Sequence, residues 1–392
     1  MNKQANRSRR RVLVVTGSRA EFGLLRPVMD AIRKHRSLEL RLCVAGEHLL
    51  GPAHTWREVA KDYRIDAKVH MQRARDRGRL DHAAATGRGL AGFAATYKKI
   101  WPDWVVVLGD RIEAFAAASA ASIAGIAVCH IHGGDRAEGI ADEAMRHAIT
   151  KLSHLHCAAT DLSAKRIVQM GERKEHVHVT GSPAIDGLHT IKPMNDSDAH
   201  KLGDPCVVML LHPSGQDKLI EHNAAVLASC YATALGPILM LAPNSDPDRE
   251  IIIKQWSFME RVNDATSLSH LPRVQFLALL KRLASRDRGA LLGNSSAGLL
   301  ECAAIGLPVI DLGPRQAGRE RAENVLWMSD QTLFSPAFHR SVTKIQRHVA
   351  RVHRSAVVNH PFGDGRAGKR IAALLARIDP LATSIRRKRN SY

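Results

Sequence analysis

Several features that would place a protein in a common class are missing from this chain of 392 residues. No apolar run approaches the ~20 residues that a membrane-spanning helix requires. The basic N-terminus passes directly into an apolar, strand-like run and lacks the small-residue cleavage site of a secretory signal. These absences predict a cytoplasmic protein with no membrane partner.

Cysteine pairs at metal-binding or redox spacing are also missing. The six cysteines lie apart, among apolar neighbours, at Cys43, Cys129, Cys157, Cys206, Cys230 and Cys302, and no CxxC motif occurs. This pattern favours buried free thiols over disulfides or a zinc site. The turn after the first apolar run, Gly17-Ser18-Arg19, is not a GxGxxG fingerprint, which argues against a dinucleotide cofactor.

Aromatic residues make up only 4% of a chain whose formal charge is +19. The charge raises the hypothesis of a nucleic-acid partner. However, the basic residues are spread over tails and surface segments, and too few aromatic residues are present to stack on bases. We therefore predict no nucleic-acid partner and a basic surface that attracts an anionic small molecule.

What the first half contains is a series of short apolar runs that alternate with helical patterns. Strands are predicted at 11–16, 39–45, 105–108, 126–131, 157–160 and 177–180, and helices at 22–35, 83–100, 143–154 and 161–170. Between 108 and 126 a helix of small residues is expected. Strand–helix alternation of this kind predicts a parallel sheet with right-handed crossovers.

The alternation stops at a polar segment, 187–205, and then restarts. Strands are predicted at 206–211, 237–241, 289–292 and 308–312, and helices at 220–235, 274–283, 299–305 and 366–378. The predicted fold class is therefore α/β, with two Rossmann-like doubly wound domains facing a cleft. The predicted domains are 1–190, 191–360, and a C-terminal helix and basic tail, 361–392, that packs back toward the first domain.

Ionisable residues cluster after two predicted strands of the first half. They are Asp110, Arg111, His132, Asp135, Asp142, Glu143, Arg146 and His147. Carboxylates and imidazoles at strand ends suit proton abstraction and leaving-group protonation. A structural ion-pair network is one alternative. A metal held by His130 and His132 is another, because alternate residues of a strand share a face, but firm zinc spacing is absent.

In the second half, a predicted strand ends at Gly293-Asn294 and two serines, Ser295 and Ser296, begin a helix. Free backbone N–H groups and hydroxyls at a helix start can bind a phosphate or diphosphate. The alternative is an ordinary serine N-cap. Glu301 lies farther along, where a carboxylate could accept both hydroxyls of a ribose.

Three further residues sit beside strand ends. Arg19, in the first turn, and Arg315, after strand 308–312, are candidate anion ligands, although arginines are abundant on this surface. His212 ends the first strand of the second half, where a functional role competes with a structural one.

Motifs in these regions resemble the UDP-N-acetylglucosamine 2-epimerase family, in particular its hydrolysing branch in sialic-acid-type sugar biosynthesis. The resemblance covers about residues 11–373. It rests on TGSRAEFGLLRPVM (16–29), LGDRIEA (108–114), HIHGGDRAEGIADEAMRHAITKLSHLH (130–156), TGSPAID (180–186), LHPS, APNSD, GNSSAGLLE and LGPRQAGRERAENVL. His132 stands where non-hydrolysing relatives carry Glu in a V-E-A-G context.

The resemblance implies a GT-B-like fold, no cofactor, no metal and a homodimer or homotetramer. It implies UDP contacts from Arg19, Asn244, Ser295, Ser296, Glu301 and Arg315. It implies catalytic roles for Asp110, His132, Glu143 and His212, and sugar contacts from Arg111, Asp142 and Arg146. Which of Asp110, His132 and Glu143 is the base stays open.

The implied reaction is anti elimination of UDP across carbons 1 and 2 of UDP-N-acetylglucosamine, followed by water addition that releases N-acetylmannosamine. Residues beside the main motifs depart from the family pattern, namely Ser214-Gly215, Ile140-Ala141 and Asp135. A UDP-2,4-diacetamido-2,4,6-trideoxyhexose is therefore an alternative substrate. A non-hydrolysing 2-epimerase and a glycosyltransferase of similar fold are alternative functions.

Overall fold

The computed structural model describes residues 8–51, 53–76, 78–136, 142–244, 248–263, 265–330, 337–355 and 358–391, without the side chain of Asp142. The chain divides into two compact units. Unit 1 comprises Met1–Asp135, Ala141–Asp186 and Phe362–Tyr392, and unit 2 comprises Arg136–Ile140 and Gly187–Pro361. Within the described ranges, no helix is both long and apolar enough to cross a bilayer.

Unit 1 begins as an alternation of strands and helices. Its elements are β1 (Arg10–Thr16), α1 (Arg19–Lys34), β2 (Leu38–Ala45), α2 (Trp56–Asp62), β3 (Ala67–Val69), α3 (Arg79–Ile100), β4 (Trp104–Leu108), α4 (Ile112–Ile123), β5 (Ala127–Ile131), α5 (Asp142–Leu152), β6 (Leu155–Ala158), α6 (Asp161–Gln169) and β7 (Val177–Val179). The strands are all parallel, in the order β3-β2-β1-β4-β5-β6-β7.

Both faces of this sheet are covered by helices. Val12 and Val14 of β1 face a core that contains Leu25 and Met29 of α1. Leu13, on the opposite face, belongs to a second core with residues of α3 and α4. A strand buried on both faces needs apolar residues at consecutive positions, which is why the central strands are visible as continuous apolar runs.

Unit 2 repeats this architecture. It contains α7 (Asp196–His200), β8 (Val207–Leu210), α8 (Lys218–Thr233), β9 (Ile238–Leu241), α9 (Arg249–Val262), β10 (Ala265–Leu268), α10 (Arg273–Ala284), β11 (Ala290–Gly293), α11 (Ser296–Leu299), α12 (Glu301–Ile305), β12 (Val309–Leu312), β13 (Val325–Met328) and α13 (Ala337–His353). Its parallel sheet has the order β10-β9-β8-β11-β12-β13. The α/β prediction of two Rossmann-like halves is confirmed.

After unit 2 the chain returns to unit 1 as α14 (Ala367–Arg377) and α15 (Thr383–Arg386). Side chains of unit 1 form hydrogen bonds with the backbone at both ends of α14. Asp186 accepts hydrogen bonds from the backbone N–H groups of Ala367 (2.9 Å) and Gly368 (2.7 Å) at the positive end of the helix. Arg10 donates to the carbonyl of Ile378 (3.0 Å) at the other end.

The structure differs from the sequence expectations at identifiable places. The predicted helix 299–305 is two short helices that break at Leu300, and the strand predicted at 157–160 is β6, two residues earlier. The patterns do not predict β3, β10 and β13, which are edge strands of three or four residues. Short, half-exposed edge strands lack the continuous apolar signal of the central strands.

Two glutamates lie buried where β1 and β4 end. The carboxylate of Glu21 accepts from the backbone N–H of Gly17 at 2.6 Å. Burial raises the pKa of Glu21 to about 8; the Gly17 N–H opposes this rise and the charge of Glu113 adds to it. The pKa of Glu113, by contrast, is lowered below its ordinary value. Burial acts to raise it, but the charge of Arg111 and a hydrogen bond from the Gln72 amide outweigh that effect. Glu21 is therefore the protonated member of the pair at neutral pH.

This assignment predicts a pH dependence of stability. Between the ordinary pKa of 4.5 and the raised value of about 8, the folded protein holds a proton on Glu21 that the unfolded chain releases. The free energy of unfolding therefore falls as pH rises through this window, by on the order of 1 kcal/mol per pH unit. Glu21→Gln removes the titration, so its thermal midpoint should decline less than that of the unsubstituted protein between pH 5 and pH 8.

Glu39→Gln serves as the control for that experiment. The pKa of Glu39 is lowered below its ordinary value. Partial burial acts to raise it, but Arg11 and Arg41 outweigh that effect. Its removal should cost stability without changing the slope of the thermal midpoint between pH 6 and pH 8. An unchanged slope in Glu21→Gln would show that Glu21 is ionised in the folded protein.

The packing of α14 on α1 generates a second prediction. A Cβ atom on Gly368 would lie 2.6 Å from the carbonyl oxygen of Pro27, inside α1, so Gly368→Ala forces the two backbones apart. We expect a loss of about 1–3 kcal/mol in the free energy of unfolding, measured by denaturant titration. Gly87→Ala, in α3, is the matched control because no atom lies within 4 Å of its added Cβ. It should stabilise by about 0.5–1 kcal/mol, and equal effects would contradict the close approach.

Candidate functional site

In unit 1 the turn after β4 carries Asp110. Gly109 adopts a φ of 72° there, in the left-handed region, and turns the chain at the strand end. The Asp110 carboxylate forms an ion pair with the guanidinium of Arg146, which reaches it from α5. Arg146 is only 1% exposed, so this pairing also satisfies a charge that would be costly to bury alone.

A buried histidine supports the same turn. His130, in β5, donates from Nε2 to the carbonyl of Gly109 (2.8 Å), and its Nδ1 accepts from the hydroxyl of Thr150 (3.2 Å). Burial lowers the pKa of His130 to about 3, although the bond to Gly109 opposes this. A neutral imidazole with one donor and one acceptor matches both partners, so His130 fixes the backbone that presents Asp110.

His132 lies just beyond β5 with a φ of 63°. Its Nδ1 lies 3.0 Å from Oδ2 of Asp135 and its Nε2 lies 3.0 Å from the hydroxyl of Ser182. The left-handed conformation ends the strand alternation, so the expectation that His130 and His132 share a strand face is wrong. Because both ring nitrogens have partners, His132 can exchange a proton with a substrate only if one of these bonds opens.

Asp135 joins His132 to Arg146. Its Oδ1 accepts from the hydroxyl of Ser163 at 2.7 Å, and its backbone carbonyl accepts from Arg146 at 2.9 Å. Ser182, His132, Asp135, Arg146 and Asp110 therefore form one connected polar network at the strand ends of unit 1.

Glu143 and His147 lie one turn apart on α5, with Glu143 Oε1 3.4 Å from His147 Nε2. Glu143 and Arg146 are three residues apart on α5 and so lie on one side of the helix, and Arg146 contacts Asp110. The side chain of Asp142, a predicted sugar contact, lies outside the part of the chain that the structure describes.

The two arginines predicted as ligands in unit 1 each have carboxylate partners. Arg19 pairs with Glu58 at 2.6 Å. Arg111 pairs with Glu47 at 2.8 Å and with the buried Glu113 at 3.3 Å. A bound anion would therefore compete with, or rearrange, an existing ion pair at either arginine.

In unit 2, His212 and Asn294 connect the ends of the neighbouring strands β8 and β11. The backbone N–H of His212 donates to Oδ1 of Asn294, and Nδ2 of Asn294 donates to the carbonyl of His212, both at 2.8 Å. His212 Nδ1 accepts from the backbone N–H of Asn244 at 3.1 Å, which leaves the proton of a neutral ring on Nε2. Burial, with a contribution from Arg315, lowers the pKa of His212 to about 3.

Arg315 lies over the same two strand ends. It donates to the carbonyls of Pro213 (3.2 Å) and Asn294 (3.4 Å), and Gln316 donates to the carbonyl of Asn294 at 2.8 Å. Four of the predicted residues thus lie together around Asn294. They are His212, Asn244, Ser295 and Arg315.

The serine motif has the predicted helix-start geometry. Ser295 is the N-cap of α11, and its hydroxyl accepts from the backbone N–H of Ala297 at 3.4 Å, so the capping interpretation holds for Ser295. Ser296 is the first residue of α11. Glu301 begins α12, is buried, and pairs with Arg273.

Sequence reasoning did not single out several residues that organise these sites. They are Ser163, Ser182, Glu221, Arg273, Asn294 and Gln316. Glu221, for example, accepts from the N–H (2.6 Å) and hydroxyl (2.7 Å) of Ser214 and so shapes the turn after β8. Ser182 and Asn294 stand inside recognised motifs, which was the available signal, whereas Arg273 meets Glu301 through a contact between residues 28 positions apart.

Comparison with known proteins gives a consistent family. The family model of UDP-N-acetylglucosamine 2-epimerase matches residues 30–376. The chain is 34% identical to a UDP-N,N'-diacetylbacillosamine 2-epimerase (hydrolyzing) from Legionella pneumophila, over 98% of this chain and 100% of the relative. It is 30% identical to a UDP-N-acetylglucosamine 2-epimerase from Neisseria meningitidis serogroup B, over 82% of this chain and 85% of the relative.

Solved structures show the same fold. The crystal structure of a Neisseria meningitidis UDP-GlcNAc 2-epimerase bound to UDP-GlcNAc has a TM-score of 0.77 at 20% identity, covering 94% of this chain and 100% of that one. A Methanocaldococcus jannaschii UDP-GlcNAc 2-epimerase, in complex with UDP-GlcNAc and UDP, has a TM-score of 0.75 at 17% identity, covering 93% and 99%. With its strand-end residues and a family model that spans most of its length, this chain belongs to the UDP-N-acetylglucosamine 2-epimerase family.

Proposed function

We propose that this protein is a hydrolysing UDP-N-acetylglucosamine 2-epimerase, which converts UDP-N-acetylglucosamine and water into N-acetylmannosamine and UDP. Residues of unit 1 act on the sugar and residues of unit 2 hold UDP. The geometric observation that carries the proposal is Asp110, held at the end of β4 by the buried Arg146 and linked through Asp135 to His132. Such a network can hold a carboxylate in place for proton transfer.

In the proposed mechanism, a base removes the proton from carbon 2 while the bond between carbon 1 and the diphosphate oxygen breaks. The electron pair of the C–H bond forms the carbon 1–carbon 2 double bond of a glycal, and UDP leaves with the electrons of the C–O bond. Water then supplies the hydroxyl group at carbon 1, and a proton returns to carbon 2 on the opposite face. No redox change occurs.

The structure favours a carboxylate over an imidazole as the base. The side chains of Asp110 and Glu143 are 17% and 22% exposed. The side chain of His132 is 8% exposed, and both of its nitrogens are hydrogen-bonded. We therefore assign proton abstraction to Asp110 or Glu143, and to His132 the orientation of Asp135 and a proton-transfer role that needs one of its bonds to open.

The departing diphosphate needs positive charge and hydrogen-bond donors. In unit 2, Arg315 and the N-terminus of α11, with Ser295 and Ser296, supply them, and the Nε2–H of His212 is a further donor. Arg19 is a further proposed ligand of the diphosphate, and binding there breaks its pair with Glu58. Arg111 and Arg146 contact the sugar or the residues that hold it.

A second substrate is favoured by a specific observation. The Legionella pneumophila relative, whose name states hydrolysis of a UDP-N,N'-diacetylbacillosamine, aligns with this chain from end to end. Residues beside the main groups, such as Ser214 and Asp135, also depart from the usual motifs. UDP-N,N'-diacetylbacillosamine is therefore the alternative substrate for the same elimination and hydration.

Product analysis tests the proposal. The purified protein should release UDP and a free 2-epimerised sugar from one of the two nucleotide sugars without any acceptor, and in H₂¹⁸O the label should enter carbon 1 of that sugar. The Asp110→Asn protein, purified in parallel, controls for contaminating hydrolases. Formation of a UDP-linked 2-epimer would instead identify a non-hydrolysing epimerase, and UDP release that depends on an acceptor would identify a glycosyltransferase.

The assignment of Asp110 has its own test. Asp110→Asn removes the negative charge that accepts or directs the proton, so kcat should fall by about 10²–10⁴-fold. The dissociation constant of UDP, measured by calorimetry, should stay within about threefold because Asp110 is not among the residues proposed to contact UDP. Asp62→Asn, which breaks an exposed pair with Arg26 at 2.8 Å in the same unit, should leave both values unchanged. Full activity of Asp110→Asn would refute the catalytic role.

A further inference from the structure

Glu301 forms an ion pair with Arg273, which lies outside the motif that contains Glu301. Glu301 begins α12 and is 3% exposed. Its Oε1 lies 2.8 Å from Nη1 of Arg273, the first residue of α10. A buried carboxylate without a nearby cation is strongly disfavoured, because it loses its hydration without compensation. The pair therefore explains how the protein keeps a charged group at this place in unit 2.

The position of Arg273 within α10 also indicates that its role is to pair with Glu301. Arg273 is the first residue of α10, and the first turn of α10 contains no acidic residue. A cation at a helix N-terminus faces the positive end of the helix dipole and is disfavoured there. The contact with Glu301 on α12 offsets this cost. The helix dipole therefore gives no reason for an arginine at this position.

The pairing restricts the geometry of Glu301. A glutamate side chain has three rotatable bonds, and the contact with Arg273 holds one carboxylate oxygen in place. An ionised carboxylate has about four acceptor positions, so one bond from Arg273 leaves capacity for two ribose hydroxyls. A fixed carboxylate loses less entropy when it binds a diol than a mobile one does.

The pairing also changes the local charge. Glu301 follows Ser296 by five residues, and Ser296 lies at the helix start that we propose for the diphosphate. A bare carboxylate close to a diphosphate would weaken its binding by charge repulsion. The guanidinium of Arg273 offsets that charge.

We infer that Arg273 is a positioning residue of the nucleotide site, which aims Glu301 at the ribose hydroxyls and neutralises its charge toward the diphosphate. The inference rests on the proposed function, because it requires that UDP binds to unit 2 with its ribose at Glu301. Arg273 would then contribute to the preference of the site for ribonucleotides over 2'-deoxyribonucleotides.

Calorimetric titrations of the full-length protein with UDP, 2'-deoxy-UDP and uridine test the inference. The unsubstituted protein should bind UDP about tenfold or more tightly than 2'-deoxy-UDP, as expected when a hydrogen bond to a charged group is lost. In Arg273→Ala, the ratio of the UDP and 2'-deoxy-UDP affinities should fall to within about twofold of one. The ratio of the UDP and uridine affinities should also fall, by about tenfold.

Two further variants separate positioning from simple structural damage. Arg273→Lys keeps the charge but not the guanidinium geometry, so it should restore the UDP-to-uridine ratio and leave the ribose preference reduced. Arg282→Ala is the matched control on the same helix: Arg282 pairs with Asp196 at 2.7 Å and does not contact Glu301. It should leave both ratios unchanged. In Glu301→Gln, adding Arg273→Ala should have no further effect on the ribose preference.

The outcomes discriminate clearly. If Arg273→Ala does not fold, as judged by thermal unfolding, Arg273→Lys alone decides through its ribose preference. A folded Arg273 variant with an unchanged preference for UDP over 2'-deoxy-UDP would overturn the positioning role and leave the proposed function intact. Failure of the unsubstituted protein to bind UDP would overturn both.

Discussion

Burial of both sheet faces is the constraint on which the rest of this structure depends. In unit 1, successive residues of β1, such as Val12 and Leu13, face two different helix-covered cores, so the buried part of the strand has no place for a charged group. The residues proposed for function gather where the parallel strands end. Asp110 and His132 in unit 1, and His212 and Asn294 in unit 2, occupy those positions.

The strand-end residues are charged or strongly polar and are also largely buried, so each needs a partner supplied from elsewhere in its unit. Arg146 reaches Asp110 from α5, and Arg273 reaches Glu301 from α10. Removing one partner of such a pair leaves a buried charge uncompensated, at a cost of about 3–5 kcal/mol. The groups proposed for chemistry are therefore held in place by the same contacts that make their burial tolerable.

The central strands were predictable because their signal is local. The apolar runs at 11–16 and 105–108 correspond to β1 and β4 within one residue. The amphipathic helix α13 and the edge strand β10 were not predicted, since β10 is four half-exposed residues and its pairing with β9 is a long-range contact. The break at Leu300 was not predicted either, since neither a proline nor a glycine stands at that position.

By itself, the sequence determined the alternation of strands and helices, the family, and the residues that stand at strand ends, because hydrophobic periodicity and short motifs are properties of neighbouring positions. Only the tertiary structure decided the partners: Asp135 and Ser182 for His132, Arg146 for Asp110, and Arg273 for Glu301. The partners of His132 and Glu301 include residues 28 or more positions away, and Arg146 is 36 residues from Asp110. Nothing in the local pattern encodes which distant side chain a buried charge will meet, since that pairing follows from packing and from the cost of leaving the charge alone.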